Sequence, residues 1–344
     1  MKIVALSVAV PKNKLGQVEL EEKFGVKQAK RLSVVTGIKE RHVATNDVRA
    51  LELILQAAEA AIAKAGDSRE FNAIFLITQT SEYKFPATAC IIQDKLGISK
   101  NTLAYDINLG CSGFTYGLVT ANAFIESKLF KRILLIVGDL TNSTASKEDI
   151  STYTLFGDAY SAAIIEASDT NEILAIDYGT DGSGAENLIT YIGGSRYPND
   201  NEYRKADGYN LNKNVKFPGY VYMDGAKVFE FSIDVVPEML NNLLKRSGHE
   251  LNDLDYFFFH QANTFMLKHF CTKLNIDLEK TPMVLEEYGN TSGASIPLTI
   301  CSHFGNNNSD QKVLSALIGF GVGYSWAGVI IELNPSIVVD VIEV

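Results

Sequence analysis

The sequence predicts an α/β protein made of two copies of one folding unit. Short apolar runs typical of buried strands alternate with helix patterns along the chain. Three stretches of the first half recur in the second half, in the same order and at nearly one offset. The chain has 344 residues, 46% hydrophobic and 21% charged, which suffices for a sizeable core and excludes a disordered protein.

The apolar runs have lengths typical of strands and are bounded by turn residues. The first run stops at Pro11 and lacks a basic segment beyond Lys2, which favours a buried strand over a signal peptide. The predicted strands are 3–10, 73–78, 103–107, 133–137, 162–165, 256–259, 313–318 and 328–333.

Helix patterns lie between many of these runs. Residues 48–65 are rich in helix formers and stop at Gly66. Residues 112–128 carry one apolar stripe at helical spacing. Residues 228–246 form another pattern, which we expect Pro237 to kink or divide.

The internal repeat links three pairs of stretches at offsets of 180 to 182 residues. Strand–turn–helix units resemble one another even without duplication, but three matches in one order favour a duplicated unit. We therefore expect an N-terminal half at 1–170 and a C-terminal half at 171–344. The matching pairs are 73–81 with 255–263, 110–113 with 291–295, and 134–139 with 315–321.

The longest stretch without periodicity is 181–219, which is crowded with Gly, Asn, Asp, Tyr and Lys. Irregular segments of this length inside a compact domain are usually functional or mobile. We interpret it as a surface excursion of the second half that contains a short hairpin.

The balance of charged residues indicates which kinds of partner the protein is not expected to bind. The chain has 31 Lys and Arg against 41 Asp and Glu, a net charge of −10, and a pI near 5.1. This balance argues against a nucleic-acid partner, and no apolar run reaches the length of a membrane span. The four cysteines show no disulfide-framework spacing. We therefore expect a cytoplasmic protein.

Cys111 is the first candidate for chemistry. It follows the strand pattern 103–107 and Gly110, and it precedes the helix pattern 112–128. The N-terminus of a helix lowers a thiol pKa, so this position predicts a thiolate nucleophile. A small buried structural cysteine remains the alternative from the local motif alone.

His260 and Asn290 are the next candidates. His260 ends the strand pattern 256–259, where ligands bind in α/β sheets, although a core or capping His fits as well. Asn290 lies in a Gly-Asn-Thr turn and by itself reads as a turn residue. Because Cys111 and Asn290 occupy corresponding turns of the repeat, the two halves would bring all three residues together for thioester chemistry.

Other cysteines and histidines favour structural roles. Cys90 lies in an apolar helical pattern and reads as a core residue. The pairs His269 with Cys271 and Cys301 with His303 are two residues apart, so they diverge on a helix and we expect no metal site. The sequence contains neither a GxxxxGK[ST] phosphate loop nor a GxSxG elbow.

Eight motifs together resemble those of the β-ketoacyl-acyl-carrier-protein synthase III family of the thiolase superfamily. They are Thr-Gly-Ile-Lys-Glu-Arg-His at 36–42, Phe-Pro at 85–86, Asn-Leu-Gly-Cys-Ser-Gly-Phe-Thr-Tyr-Gly at 108–117, Leu-Phe-Gly-Asp at 155–158, Met-Asp-Gly-Ala-Lys-Val-Phe at 223–229, His-Gln-Ala-Asn at 260–263, Tyr-Gly-Asn-Thr-Ser-Gly-Ala-Ser-Ile-Pro at 288–297 and Gly-Phe-Gly-Val-Gly-Tyr-Ser-Trp at 319–326. These motifs run through most of the chain.

The resemblance implies a thiolase-like duplicated αβαβα layered fold, a homodimer, and a decarboxylative Claisen condensation. It implies that Cys111 accepts the acyl group, that His260 and Asn290 stabilise the malonyl enolate, and that backbone N–H groups of Cys111 and Val322 form the oxyanion hole. It implies no cofactor beyond the phosphopantetheine thioesters of acyl carrier protein or coenzyme A. The implied substrate contacts are Phe85, Phe156, Gly225 and Asn263.

Departures from the family pattern concern the donor. Positions that often flank the adenine of coenzyme A with Trp or Arg hold Arg31, Val35 and Ile150 here, and a carrier-protein Arg is replaced by Phe265. The changes at positions 31, 35 and 150 remove contacts to coenzyme A and favour acyl carrier protein as the donor, whereas Phe265 removes a contact to the carrier. Basic residues that would attract an acidic carrier are Lys227, Lys245, Arg246, Lys268, Arg204, Lys205, Lys213 and Lys216.

Two other functions remain open from the sequence. An acyltransferase on the same fold would pass the acyl group from Cys111 to a sugar or another nucleophile, and the long polar segment 181–219 would suit such an acceptor. A non-catalytic subunit would only bind acyl carriers, which the intact Cys-His-Asn set disfavours. Retention of Asn290 favours condensation, because an enolate needs that donor.

Overall fold

The computed structural model describes residues 1–198, 214–305 and 309–344. The strands are β1 Lys2–Val10, β2 Lys14–Gly16, β3 Glu40–His42, β4 Ala73–Ile77, β5 Leu103–Ile107, β6 Arg132–Asp139, β7 Ala159–Glu166, β8 Ile173–Thr180, β9 Leu188–Ile189, β10 Tyr222–Met223, β11 Tyr256–Phe259, β12 Val313–Gly321, β13 Ser325–Leu333 and β14 Ile342–Glu343. The α-helices are α1 Gln17–Phe24, α2 Val26–Thr36, α3 Ala50–Lys64, α4 Thr88–Lys95, α5 Gly113–Glu126, α6 Ile150–Tyr153, α7 Gly225–Ser247, α8 Thr264–Leu274, α9 Leu285–Tyr288 and α10 Ser295–Phe304.

Four adjacent strands of the first main sheet, β1, β7, β6 and β4, have the same order and directions as the four strands of the second. The first has the order β14-β1-β7-β6-β4-β5 and the second the order β11-β12-β13-β8. The pair β4–β6 is parallel like β11–β12, β6–β7 is antiparallel like β12–β13, and β7–β1 is antiparallel like β13–β8. This is the duplicated unit that the internal repeat predicts. The C-terminal strand β14 returns to pair with β1 in the first sheet.

Five layers follow from three apolar clusters. The central cluster joins α5 and α10 to the inner faces of both sheets, with Phe114 and Leu298 among its buried members. A second cluster packs α3 and α4 on the outer face of the first sheet. A third packs α7 and α8 on the outer face of the second sheet. The order is therefore helix, sheet, helix, sheet, helix.

Helix α7 runs through Pro237 as one helix, so of the two expected outcomes, a kink or a division, the division is wrong. Proline removes the N–H that would bond to the carbonyl four residues earlier, which here belongs to Ile233. The ammonium of Lys273 on α8 donates to that carbonyl at 2.6 Å and supplies the missing partner. A contact from a neighbouring helix therefore keeps α7 continuous.

The irregular segment contains a 3₁₀ turn at Gly182–Asn187 and the short strand β9, which pairs with β10. Strand β10 lies beyond residue 219, with 32 residues between it and β9, so this pairing is not the short hairpin predicted within 181–219. Residues 199–213, with the basic positions Arg204, Lys205 and Lys213, lie outside the described residues. In the described part of the chain, no helix has the length and apolar character needed to cross a membrane.

Candidate active site

Cys111 lies in the turn between β5 and the start of α5. The backbone N–H of Val322 and its own backbone N–H hydrogen-bond to the thiol. The end of β12 approaches so closely that a Cβ on Gly321 would lie 2.6 Å from the Cβ of Cys111. Only glycine fits there, and its absence of a side chain lets the loop after β12 place an N–H against the sulfur.

His260 follows β11 directly and is buried. Its backbone N–H donates to the carbonyl of Ile318 at 2.8 Å, and its Nδ1 lies 2.7 Å from the hydroxyl of Ser295. The ring of Phe320 meets the imidazole edge to face at 5.5 Å. Burial lowers the pKa of His260 to about 3, so the ring is neutral at physiological pH and has one N–H to donate.

Asn290 is held by the segment that precedes β7. Its backbone N–H donates to Leu155 at 2.9 Å, and its carbonyl accepts from Gly157 at 3.0 Å. Its Oδ1 accepts the backbone N–H of Ser292 at 2.9 Å. This bond fixes the orientation of the amide and leaves its NH₂ group to act as a donor without charge.

Ser292 gathers the three residues predicted from the sequence. Its backbone N–H donates to Oδ1 of Asn290, its hydroxyl lowers the pKa of the Cys111 thiol, and its backbone raises the pKa of His260. Ser292 is buried and has a φ of 52°, in the left-handed region that non-glycine residues seldom adopt. The structure thus brings Cys111, His260 and Asn290 into one site.

The expectation of a lowered thiol pKa is wrong. Burial raises the pKa of Cys111 to about 12, and the charge of Asp139 acts in the same direction. The hydrogen bonds from Ser292 and from Val322 lower the pKa by less than burial raises it. Because the thiol is protonated at neutral pH, its proton must leave during any nucleophilic attack.

Asp139 is a site residue that the sequence patterns did not single out. It ends β6 and is 2% exposed. Its Oδ1 accepts the N–H of Gln79 at 2.6 Å and the hydroxyl of Thr78 at 3.0 Å. Burial raises the pKa of Asp139 to about 6.

A cavity of about 420 Å³ opens beside Cys111. It lies between the turn before α5, the segment around β9 and the loop after β12. Phe156, a predicted substrate contact, and Val322, a predicted oxyanion donor, both line this cavity. Its lining residues are Gln79, Asn108, Cys111, Thr141, Thr144, Phe156, Leu188, Ile189, Thr190, Ile192, Gly193, Gly194, Val221, Ser292 and Val322.

Three other residues that were predicted to contact the substrate are not among those that line this cavity. Asn263 caps α8, its Oδ1 accepting the N–H of Met266 at 2.8 Å. Gly225 is the first residue of α7. Phe85 precedes α4 and is 81% exposed. The prediction of a core position for Cys90 is wrong in the single chain, because its side chain is exposed on α4.

Family models match both halves of the site. The model described as 3-oxoacyl-[acyl-carrier-protein (ACP)] synthase III matches residues 105–182, which include Cys111. The model of its C-terminal part matches residues 244–333, which include His260 and Asn290. A β-ketoacyl-[acyl-carrier-protein] synthase III of Natranaerobius thermophilus is 33% identical over 336 residues, 96% of this chain and 98% of the relative. The chain belongs to the β-ketoacyl-[acyl-carrier-protein] synthase III family.

Other members of the synthase III family agree in sequence and fold. The synthase III of Acholeplasma laidlawii is 36% identical over 304 residues, 87% of each chain. The crystal structure of a 3-oxoacyl-(acyl-carrier protein) synthase from Burkholderia xenovorans LB400 matches with a TM-score of 0.90 at 34% identity. It covers 100% of this chain and 97% of that chain. The family resemblance and the thiolase-like layered fold are therefore confirmed.

Proposed function

We propose that this synthase III family member condenses an acyl group held on Cys111 with a malonyl thioester. The observation that carries the proposal is the arrangement around Ser292, where a thiol, a neutral imidazole and an oriented amide meet. A thiol accepts an acyl group, and two uncharged donors stabilise an enolate oxygen.

The reaction divides into two stages. The sulfur of Cys111 attacks an acyl thioester, the N–H groups of Cys111 and Val322 stabilise the carbonyl oxyanion, and the pantetheine thiol leaves. A malonyl thioester then enters, and His260 and Asn290 donate hydrogen bonds to its thioester oxygen. Loss of CO₂ leaves a carbanion that attacks the acyl carbonyl, which frees Cys111 and yields a β-ketoacyl thioester.

Mass spectrometry of the intact protein tests this function. The protein is incubated with a panel of acyl-carrier-protein thioesters, and malonyl-carrier protein is then added. We expect one acyl group on Cys111, followed by its loss together with CO₂ release and a β-ketoacyl product. Discharge of the acyl group to a sugar without CO₂ release would instead support an acyltransferase.

We also propose acyl carrier protein as the donor partner, docking at the start of α8. There Phe265 is 60% exposed against Phe229, and Lys268 is exposed one turn away. Two other basic residues of the predicted set are already neutralised: Lys227 pairs with Glu230 at 2.8 Å, and Arg246 pairs with Asp177 at 3.0 Å. Lys245 and Lys216 are exposed.

A homodimer is a further part of the proposal. Strand β5 is the edge of the first sheet, and in the described residues it pairs with β4 alone. Exposed apolar groups lie around this edge, including Leu103, Phe85 and Tyr83, and the thiol of Cys90 reaches the carbonyl of Ala104. An uncovered apolar edge strand favours pairing with a second chain.

A further inference from the structure

The cavity beside Cys111 has a polar wall that comes from three neighbouring strands. In the first sheet, β6, β4 and β5 lie side by side and run parallel. Thr141 comes two residues after β6, Gln79 two residues after β4, and Asn108 directly after β5. All three line the cavity. The carboxyl ends of parallel strands meet at one end of a sheet, where α/β proteins bind their ligands.

The two amides of this wall form a pair next to the nucleophile. Nε2 of Gln79 donates to Oδ1 of Asn108 at 3.3 Å. In the part of the chain that the structure describes, neither Oε1 of Gln79 nor the NH₂ of Asn108 has a hydrogen-bond partner. The Gln79 amide lies against Gly110, the residue before Cys111, because a side chain on Gly110 would collide with Oε1 of Gln79. The pair therefore offers one acceptor and one donor beside the thiol.

Two further observations show that the polar wall is built into the fold. Buried Asp139 accepts the N–H of Gln79 at 2.6 Å and the hydroxyls of Thr78 and Thr80 at 3.0 and 3.3 Å, which fixes the turn that carries Gln79. Oγ1 of Thr141 is enclosed and has no hydrogen-bond partner among the described residues. An enclosed hydroxyl without a partner is costly, and a hydrogen-bonding group in the cavity would supply the partner.

The rest of the lining limits what such a group can be. The segment around β9 contributes Leu188, Ile189 and Ile192, and Val221 adds a fourth apolar side chain. No Asp, Glu, Lys or Arg is among the described residues that line the cavity, so an ionic substituent would meet no opposite charge. A plain alkyl chain would displace water from the polar wall without replacing its hydrogen bonds, which costs affinity.

We propose that the acyl group accepted by Cys111 carries an uncharged hydrogen-bonding substituent, of which a hydroxyl is the simplest. This names the substrate class of the proposed condensation and rests on that function. The substrate hydroxyl donates to Oε1 of Gln79 and accepts from the NH₂ of Asn108, because a hydroxyl has one donor hydrogen and two lone pairs. The hydrocarbon part of the acyl group packs on the apolar side chains around β9.

Paired donors test this substrate class through the rate of Cys111 acylation, followed by intact mass. Butyryl-carrier protein is compared with 3-hydroxybutyryl-, 4-hydroxybutyryl- and succinyl-carrier protein. The better hydroxylated donor should exceed butyryl about tenfold in kcat/KM, the size of one net hydrogen bond, and succinyl should be slower than both. Gln79→Met and Asn108→Leu keep the size of the side chain but lose the amide, so the ratio should fall toward one. Asn101→Leu, an exposed amide at the other end of β5, is the control and should keep the ratio.

A second measurement does not need acyl transfer. Amide analogues of butyryl- and hydroxybutyryl-pantetheine, in which NH replaces the thioester sulfur, are used to protect Cys111 from iodoacetamide. The hydroxylated analogue should protect at about tenfold lower concentration, and Gln79→Met should remove that advantage. Equal protection by the two analogues, or a preference that survives both amide substitutions, would overturn the assigned substrate class. Failure of every thioester to acylate Cys111 would instead contradict the proposed condensation, and the protection assay would still decide the substituent.

Discussion

Ser292 lies close to all three residues of the predicted site. Its N–H donates to Asn290, and it also lies close enough to Cys111 and His260 to shift the pKa of each, although the three residues come from separate elements. A residue in this position must accept left-handed backbone. Small displacements of the turn after β11 or before α10 would therefore disturb all three residues together.

Replacement of the nucleophile should abolish acylation. Cys111→Ser keeps the size of the side chain, but a hydroxyl ionises far less readily than a thiol. We expect no acyl adduct by intact-mass measurement after incubation with acyl-carrier protein. Cys90→Ser, at an exposed thiol, is the control and should acylate normally. An adduct on the Cys111→Ser protein would place the nucleophile elsewhere.

The hydrogen-bond donors His260 and Asn290 should be needed for malonyl decarboxylation but not for acylation of Cys111. His260→Ala and Asn290→Ala should still form the acyl adduct, yet malonyl decarboxylation should fall about 10²–10³-fold for each lost donor. Acylation is followed by mass and decarboxylation by CO₂ release. If Asn290→Ala decarboxylates malonyl-carrier protein at the normal rate, enolate stabilisation by this amide is excluded.

Cys111, His260 and Asn290 could be predicted as site residues from the sequence. His260 follows a predicted strand, and Cys111 and Asn290 lie in turns of recognisable motifs. Asp139 and Ser292 could not be found in the same way. Asp139 reads as the polar end of an apolar run, and Ser292 as one of several hydroxyls in a turn. The significance of Asp139 depends on its contacts with Thr78 and Gln79, which lie 61 and 60 residues earlier in the chain, and no local pattern records such contacts.

At the level of elements, the strand predictions depend on apolar runs and hold for the buried strands of both sheets. Strand β8 is absent from the predicted strands because its apolar run, residues 173–176, is short and ends at Asp177 and the exposed Tyr178. Pro237 does not divide α7, which was one of the two outcomes expected from its sequence position. Its effect on α7 is offset by Lys273, a residue of another helix, so local propensity could not reveal the outcome.

The bond from Lys273 to Ile233 gives a prediction about α7. Lys273→Met removes the donor to the carbonyl that Pro237 leaves without a helical partner. We expect a loss of about 0.5–1.5 kcal/mol in the free energy of unfolding, the usual net value of a hydrogen bond. Urea denaturation followed by circular dichroism measures this loss.

A double-mutant cycle identifies the cause. In a Pro237→Ala background, the restored N–H can bond to Ile233, so Lys273→Met should cost less there than in the natural sequence. Equal costs in both backgrounds would show that Lys273 stabilises the fold through some other contact. The comparison does not require that either protein be active.

The whole molecule should be a two-fold dimer through the β5 edge. Light scattering should give about twice the 37.7 kDa of one chain at micromolar concentration. Leu103→Lys should shift the protein toward the monomer, because it places a charge on the exposed edge strand. Leu129→Lys, at an exposed leucine outside β5, should leave the mass unchanged. A 38 kDa species in the unmodified protein would contradict the dimer.

The net charge of −10 affects how readily an acidic acyl donor can approach the protein. An acidic carrier protein is repelled by such a molecule, so productive encounter needs local positive charge. Lys268 is exposed beside Phe265 and is not among the ion-paired lysines of the described residues. Because Val35 and Ile150 are apolar, we expect coenzyme A to lack the basic contacts that its 3′-phosphate favours.

We therefore expect acyl-carrier protein to acylate Cys111 faster than the matching acyl-coenzyme A, with an advantage that shrinks as salt is added. Lys268→Glu should lower kcat/KM for the carrier about fivefold, mainly through slower association, while acyl-pantetheine reacts unchanged. Lys64→Glu makes the same charge change on α3, across the first sheet, and should have a much smaller effect. Equal or faster acylation by acyl-coenzyme A at low salt would show that the carrier is not the preferred donor.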